Sequence, residues 1–139
     1  MLISKKIFVN GSFDVLHSGH LDLLNYAKSL GSYLLVAIDS DSRIAQKKGL
    51  DRPFQNQNNR YYIMSMLKPV DEVKIFYSDQ DLINIIAEYQ PDVMVVGSDW
   101  RGKNIIGSQH SRSVIFFDRV NNESTTEIIE SYLDRRHLC

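Results

Sequence analysis

Two histidines stand three residues apart in His17-Ser18-Gly19-His20, directly after the run Asn10-Gly11-Ser12-Phe13-Asp14-Val15-Leu16. The residues before them, Ile7-Phe8-Val9, read as a short apolar strand, and those after them carry apolar side chains at helical spacing. The histidine pair therefore falls where a strand turns into a helix. Rings three positions apart at a helix start can face the same side. Gly11 lets the chain turn at the strand end, and Gly19 removes bulk between the rings. Unpaired N–H groups and the positive end of the helix dipole favour an anion there, and two imidazoles add donors. The chemistry this suggests is phosphate binding. Two other readings stay open. Either histidine can be a helix cap or a surface residue, and a zinc ion is conceivable only with a third ligand, which neither His110 nor His137 assures.

Further cations follow the second strand-like run. The segment Gln46-Lys47-Lys48-Gly49-Leu50-Asp51-Arg52-Pro53 has the composition of a loop, bent by Gly49 and stiffened by Pro53. Lys47 alone reads as a solvated side chain. Arg60 would lie early in the next helix, where a cation does not complement the dipole, which hints at an anion ligand. Near the chain end, Ser124-Thr125-Thr126-Glu127 opens a helix. Ser124 and Glu127 form a capping-box pattern, and a capped helix start is also a phosphate site.

The elements that must position these residues alternate along the chain. Apolar, β-branched runs occur at Ile7–Val9, Leu34–Ile38, Val73–Phe76, Val93–Val96 and Val114–Phe117. Between them lie amphipathic stretches around Leu23–Leu30 (with Gly31 as a C-cap), Tyr61–Leu67 ahead of Pro69, Leu82–Ile86 ahead of Pro91, and Ile128–Leu133. The expected fold class is α/β: a three-layer sandwich around a mainly parallel five-stranded sheet, in one domain spanning residues 1–139. Ligands in such sheets bind beyond the carboxyl ends of the strands, which directs attention to the residues after positions 9, 38, 76, 96 and 117.

The 139 residues carry a formal net charge of −1, with 43% hydrophobic and 24% charged side chains. That balance argues against wholesale binding of nucleic acid. The one cysteine, Cys139, excludes an internal disulfide and a cysteine-based metal cluster. No signal peptide or membrane-length apolar run is evident, so the cytoplasm is the expected location and no membrane partner is expected.

Gly11-x-Phe13-Asp14-x-x-His17-x-Gly19-His20, in its strand–turn–helix context, resembles the signature of the cytidylyltransferase-like nucleotidyltransferases. The resemblance spans roughly residues 5–133. It implies a Rossmann-like fold, often dimeric, and a histidine pair that grips a nucleoside triphosphate and stabilises the transition state. Gly11, Ser12, Phe13 and Gly19 would then belong to the nucleotide site. Gly97, Asp99 and Trp100 would take the base and ribose, and Arg119, Ser124, Thr125 and Thr126 would hold the triphosphate. Lys48, Arg52 and Arg60 would hold the acceptor's phosphate, with Asp14 in a positional role beside them. Mg²⁺ is expected to accompany the triphosphate, without a protein-held metal site. The catalytic set would be His17, His20, Lys48 and Arg119.

Within that resemblance two substrate pairs compete. Asp99-Trp100-x-Gly102-Lys103 and Arg119 are similar to glycerol-3-phosphate cytidylyltransferases, which makes CTP with glycerol 3-phosphate the first choice. Lys48-Gly49-x-x-Arg52-Pro53, Asn10-Gly11 and Ile106-Gly107-Ser108 are similar to heptose-1-phosphate adenylyltransferases, which makes ATP with a heptose 1-phosphate the alternative. A non-catalytic nucleotide-binding module is the reading from another class. In all cases the partners expected are small phosphorylated molecules and a second copy of the chain.

Overall fold

The computed structural model describes residues 4–118. Five strands form one parallel sheet: β1 (Lys6–Gly11), β2 (Tyr33–Asp39), β3 (Glu72–Phe76), β4 (Val93–Gly97) and β5 (Ser113–Phe117). Their order in space is β3-β2-β1-β4-β5. The helices are α1 (Ser18–Ser29), α2 (Asp41–Lys48), α3 (Gln57–Ser65) and α4 (Asp79–Tyr89). The chain runs outward from β1 through β2 to β3, then returns to lay β4 on the other side of β1. The gap between β1 and β4 is therefore the topological switch point, where α/β sheets open a crevice for a ligand.

The alternation of side chains along β1 explains the layers. Ile7 and Val9 point to one face with Leu34, Val36 and Ile38, where they meet Leu24 and Ala27 of α1 and Met64 of α3. Phe8 points to the other face with Leu35 and Ala37, against Leu82 and Ile86 of α4. All of these side chains are essentially excluded from solvent. Continuous apolar strands are what a sheet covered on both faces requires.

Two details differ from expectation. Residues 41–48, part of which reads as loop, form α2, capped by Ser40, whose hydroxyl accepts from the Arg43 N–H. Its sequence hides it, because only Ile44 and Ala45 are apolar and no amphipathic stripe results. Gly31 is not the residue that caps α1. Leu30 fills that position in a right-handed conformation. Glycine is needed at 31 because a Cβ there would lie 2.6 Å from the Lys5 carbonyl oxygen.

Candidate functional site

The turn after β1 is the most constrained stretch of backbone. Phe13 and Val15 both take positive φ, at 50° and 60°. A β-branched residue in that region is unusual, at a cost on the order of 1–3 kcal/mol, and persists only where surrounding contacts enforce it. Asp14 supplies those contacts. Its buried carboxylate accepts the Phe54 N–H at Oδ2 (2.9 Å) and the Gln55 N–H at Oδ1 (2.9 Å). The Val15 N–H in turn reaches the Gln55 side chain at 3.3 Å. The first turn is thus stitched to the segment before α3.

The histidines emerge from this turn and cap α1 with each other. His17 is the N-cap residue, and its Nδ1 accepts the Gly19 N–H at 3.1 Å. His20 reaches back, its Nδ1 accepting the His17 N–H at 3.2 Å. This is a capping box written in imidazoles instead of a hydroxyl and a carboxylate. The rings stack with centroids 3.8 Å apart, and Phe13 packs on His20 at 5.2 Å. A ring nitrogen that accepts a hydrogen bond carries no proton, so in this arrangement each neutral ring holds its proton on Nε2. Both rings line a pocket of about 500 Å³. The cap reading of these residues holds, and the same two rings also face the pocket: Nδ1 of each ring serves the helix.

The pocket joins the switch point to the end of β2. Asn10, Gly11, Ser12, Phe13 and Gly19 form its wall on the β1 side. Gly97, Asp99 and Trp100 form the wall beyond β4, on a short 3₁₀ turn over Ser98–Trp100. A Cβ on Gly97 would lie 2.8 Å from Asp99 Oδ1, a contact that the exposed Asp99 side chain can relieve by turning away. Trp100 stands at the rim, 48% exposed, with the Lys103 ammonium 5.8 Å from its ring. Lys48, at the last turn of α2, also lines the pocket. Desolvation, and after it the Arg52 charge, hold the pKa of Lys48 below the ordinary lysine value, against the opposing pull of Asp14 and Asp39.

Three residues expected at the acceptor phosphate do not reach this pocket. Arg60 is completely buried. Its guanidinium donates to the carbonyls of Gln55 (2.9 Å), Ser12 (2.9 Å) and Asp39 (2.7 Å), and to Asp41 Oδ1 (2.9 Å). It ties the ends of β1 and β2 to the start of α3, which is why a cation tolerates the unfavourable end of a helix. Asp14 is buried away from the pocket and spends both oxygens on backbone N–H groups. Arg52 lies against it, Nε 3.4 Å from Asp14 Oδ2, with its guanidinium 4.9 Å from the Phe54 ring. Arg119, Ser124, Thr125 and Thr126 lie outside the described residues.

Three charged residues of the pocket wall escaped the sequence reading: Asp39, Arg43 and Lys47, the last read as solvated only but standing on the wall with its ammonium 4.0 Å from Asp39 Oδ1. Asp39 ends β2, and Arg43 follows one helical turn later. Arg43 Nε donates to Asp39 Oδ1 at 2.8 Å. The signal available was position, since Asp39 stands at a strand's carboxyl end with an arginine four residues on. Among the described residues no group of three His, Cys, Asp or Glu converges. Among the described residues, no helix is long and apolar enough to cross a membrane.

Comparison with known proteins agrees with this fold. The family model for cytidylyltransferase-like proteins matches residues 8–131. Similar curated proteins include the bifunctional protein HldE of Helicobacter hepaticus, 39% identical over 136 residues, covering 98% of this chain and 28% of that protein. The bifunctional protein HldE of Nitratiruptor sp. is 42% identical over 126 residues, covering 89% of this chain and 27% of that protein. The chain thus spans between a quarter and a third of the length of these relatives. Among solved structures, a lipopolysaccharide core biosynthesis protein from Thermoplasma volcanium superposes with a TM-score of 0.66 at 26% identity, over 86% of this chain and 98% of that one. The parallel sheet, its switch-point pocket and the paired histidines define a Rossmann-like nucleotidyltransferase domain. The chain belongs to the cytidylyltransferase-like family.

Proposed function

We propose that this domain transfers a nucleotidyl group from ATP to a heptose 1-phosphate. An oxygen of the sugar phosphate attacks the α-phosphorus of the triphosphate. The new P–O bond forms as the bond to the β-phosphate oxygen breaks, and pyrophosphate leaves with that electron pair. A phosphate monoester is already largely dianionic at neutral pH, so the attack needs no general base. Catalysis then consists of positioning and charge stabilisation. The observation that carries the reading is the stacked His17–His20 pair, whose Nε2 donors are fixed by the helix cap beside the β1/β4 crevice. Donors fixed in advance cost no reorganisation when charge builds on the phosphates. Lys48 supplies a cation for the acceptor's phosphate. Mg²⁺ travels with the triphosphate as part of the substrate.

The choice of substrates rests on two supports. Lys48-Gly49-x-x-Arg52-Pro53 resembles heptose-1-phosphate adenylyltransferases, and the similar proteins include HldE and a protein of lipopolysaccharide core biosynthesis. The pair CTP and glycerol 3-phosphate, the first choice from sequence, keeps one support in Asp99-Trp100-x-Gly102-Lys103, whose tryptophan stands on the pocket rim. We further propose a homodimer acting in the cytoplasm, where nucleoside triphosphates are found.

One assay decides. The purified protein is given ATP or CTP with either a heptose 1-phosphate or glycerol 3-phosphate, and both pyrophosphate and the nucleotide-linked product are measured. ADP-heptose with matching pyrophosphate is expected. Product from CTP and glycerol 3-phosphate alone would reverse the substrate choice, and absence of pyrophosphate with every pair would leave only a binding module.

A further inference from the structure

The corner of the pocket at the end of β2 holds a carboxylate where a site for polyanions would be expected to hold only cations. Asp39 is buried yet lines the pocket. Its Oδ1 is taken by Arg43 Nε at 2.8 Å, with Lys47 Nζ at 4.0 Å. Its Oδ2 has, among the described residues, only the Ser12 hydroxyl at 3.4 Å, near the limit of a hydrogen bond. An ionised carboxylate offers about four acceptor positions and donates nothing. Its neighbours leave part of that capacity for a ligand.

The charge of the corner says which ligand group fits. Arg43 does not belong to Asp39 alone, because its Nη2 lies 2.6 Å from Asp79 Oδ1. Two carboxylates share one guanidinium, with Lys47 at 4.0 Å and Lys48 on the same wall of the pocket. A phosphate oxygen only accepts, so it would find no donor in Oδ2 and would be repelled by it. A hydroxyl, neutral and able to donate, satisfies Oδ2 without adding charge. The sheet order decides whose hydroxyl. β2 and β4 flank β1 on opposite sides, so Asp39 lies on the opposite flank of the histidine turn from Gly97, Asp99 and Trp100. The nucleotide's base and ribose fall to the β4 side, and Lys48 with the acceptor's phosphate to the β2 side.

We propose that Asp39 recognises a hydroxyl group on the body of the phosphorylated acceptor, and that Arg43 is its positioning residue. The proposal rests on the two-substrate reading above. Arg43 is well placed for that task. It sits one turn from Asp39 on α2, 5.0 Å over the Phe76 ring, with Asp79 holding its far end. By fixing Oδ1 it fixes the direction of Oδ2.

The test is equilibrium binding, which needs no turnover. Calorimetry on the full chain compares a heptose 1-phosphate with its monodeoxy analogues, and glycerol 3-phosphate with its deoxy analogue. In the unaltered protein, removing the recognised hydroxyl should weaken binding about tenfold or more, the usual effect of losing a hydrogen bond to a charged group. In Asp39→Ala the parent and that analogue should bind within about twofold of each other, the coupling having vanished. ATP affinity should stay within about twofold in the same variant, as expected for groups that do not touch. Arg43→Met should reduce the ratio between parent and analogue, which a merely structural arginine would leave intact. Should Asp39→Ala fail to fold, as judged by circular dichroism, Asp39→Asn keeps the shape without the charge and must also lower the ratio.

Full discrimination retained in Asp39→Ala, or none in the unaltered protein, overturns the proposal. Loss of ATP affinity instead would move the carboxylate's partner to the ribose and overturn it equally. Failure to bind either acceptor phosphate also overturns it. Hydroxyl-dependent binding that requires Asp39, in a protein releasing no pyrophosphate, would sustain this inference while removing the transfer reaction.

Discussion

Replacing His20 with alanine removes a donor from the pocket, one half of the reciprocal cap on α1, and the ring that Phe13 and His17 pack against. The first loss governs rate and the others govern stability, so the variant should show both. Turnover should fall by about a hundredfold or more, the effect of deleting one preorganised donor. Stability should fall by only about 1 kcal/mol, the usual worth of a cap. Steady-state kinetics beside urea unfolding separates the two, and unaltered turnover would remove the histidines from the mechanism. Arg60→Met should behave in the opposite way. It strips donors from three buried carbonyls and leaves Asp41 unpartnered by it, so roughly 3 kcal/mol of stability should be lost in urea. An Arg60→Met protein of normal stability but weakened acceptor binding would restore Arg60 to the ligand. Lys48 carries a signed prediction. Its lowered pKa means the folded state holds the proton less tightly than the unfolded chain does. Charged Lys48 therefore costs folding stability at neutral pH, and the cost disappears as pH rises through the folded pKa towards the ordinary lysine value. Lys48→Met should accordingly not lower the thermal midpoint of the ligand-free protein at pH 7, while acceptor affinity drops about tenfold. A lower midpoint would mark the lysine as structural.

At the scale of elements, the turn from α1 into β2 tests how tightly the layers meet. Gly31→Ala places a methyl group 2.6 Å from the Lys5 carbonyl and 2.8 Å from Ile7 Cγ1. Backbone must move to admit it, at a cost of about 1–3 kcal/mol. Differential scanning calorimetry should show a midpoint lower by several degrees, and an unchanged one would mean the turn yields freely. Four of the five strands were legible because each contains a continuous apolar run, β3 more weakly because Lys74 interrupts it, and three helices because each keeps an apolar stripe beside a breaker. α2 was not, since its eight residues DSRIAQKK bury an arginine and an isoleucine but display no stripe. The site divides in the same way. His17, His20, Gly97 and Lys48 were readable from motif and strand end. Arg60 was misread because charge in a sequence advertises a ligand, whereas its partners are three backbone carbonyls and the Asp41 carboxylate, one of them, Ser12, in a segment far away along the chain. Asp14 keeps its positional role, but with the amides of Phe54 and Gln55 as partners and away from the pocket. No spacing rule reveals an acceptor that only the fold brings near.

For the whole molecule, the pocket draws its walls from both sides of the switch point, so a bound nucleotide bridges elements that unfolding would separate. Ligand that binds only the folded state stabilises it by mass action, by about 2.7 kcal/mol at a concentration a hundred times Kd. ATP with Mg²⁺ should therefore raise the thermal midpoint in proportion to the logarithm of its concentration, and a flat response would argue that no nucleotide enters. The distribution of charge fits such a protein. A net charge of −1 gives no long-range pull on polyanions in general. Among the described residues of the pocket, cationic attraction comes from Arg43 and from Lys47 and Lys48 at the end of α2.

The anchoring of Asp14 has a mechanical consequence. Its carboxylate clamps the amides of Phe54 and Gln55, and Arg52 lies against it, so the stretch 52–55 and the turn that carries His17 form one rigid unit. Lys47 and Lys48 hang from α2 on the near side of that clamp, with Gly49 at φ 106° between. Between the clamp and the helix the chain makes a tight turn, the Gly49 N–H donating to the Ala45 carbonyl at 2.9 Å and the Arg52 N–H to the Gly49 carbonyl at 3.1 Å, with Leu50 98% exposed at its tip. A single carboxylate thus sets the spacing between the histidine turn and the stretch that follows the lysines, so a disturbance at one bank of the cleft is passed to the other.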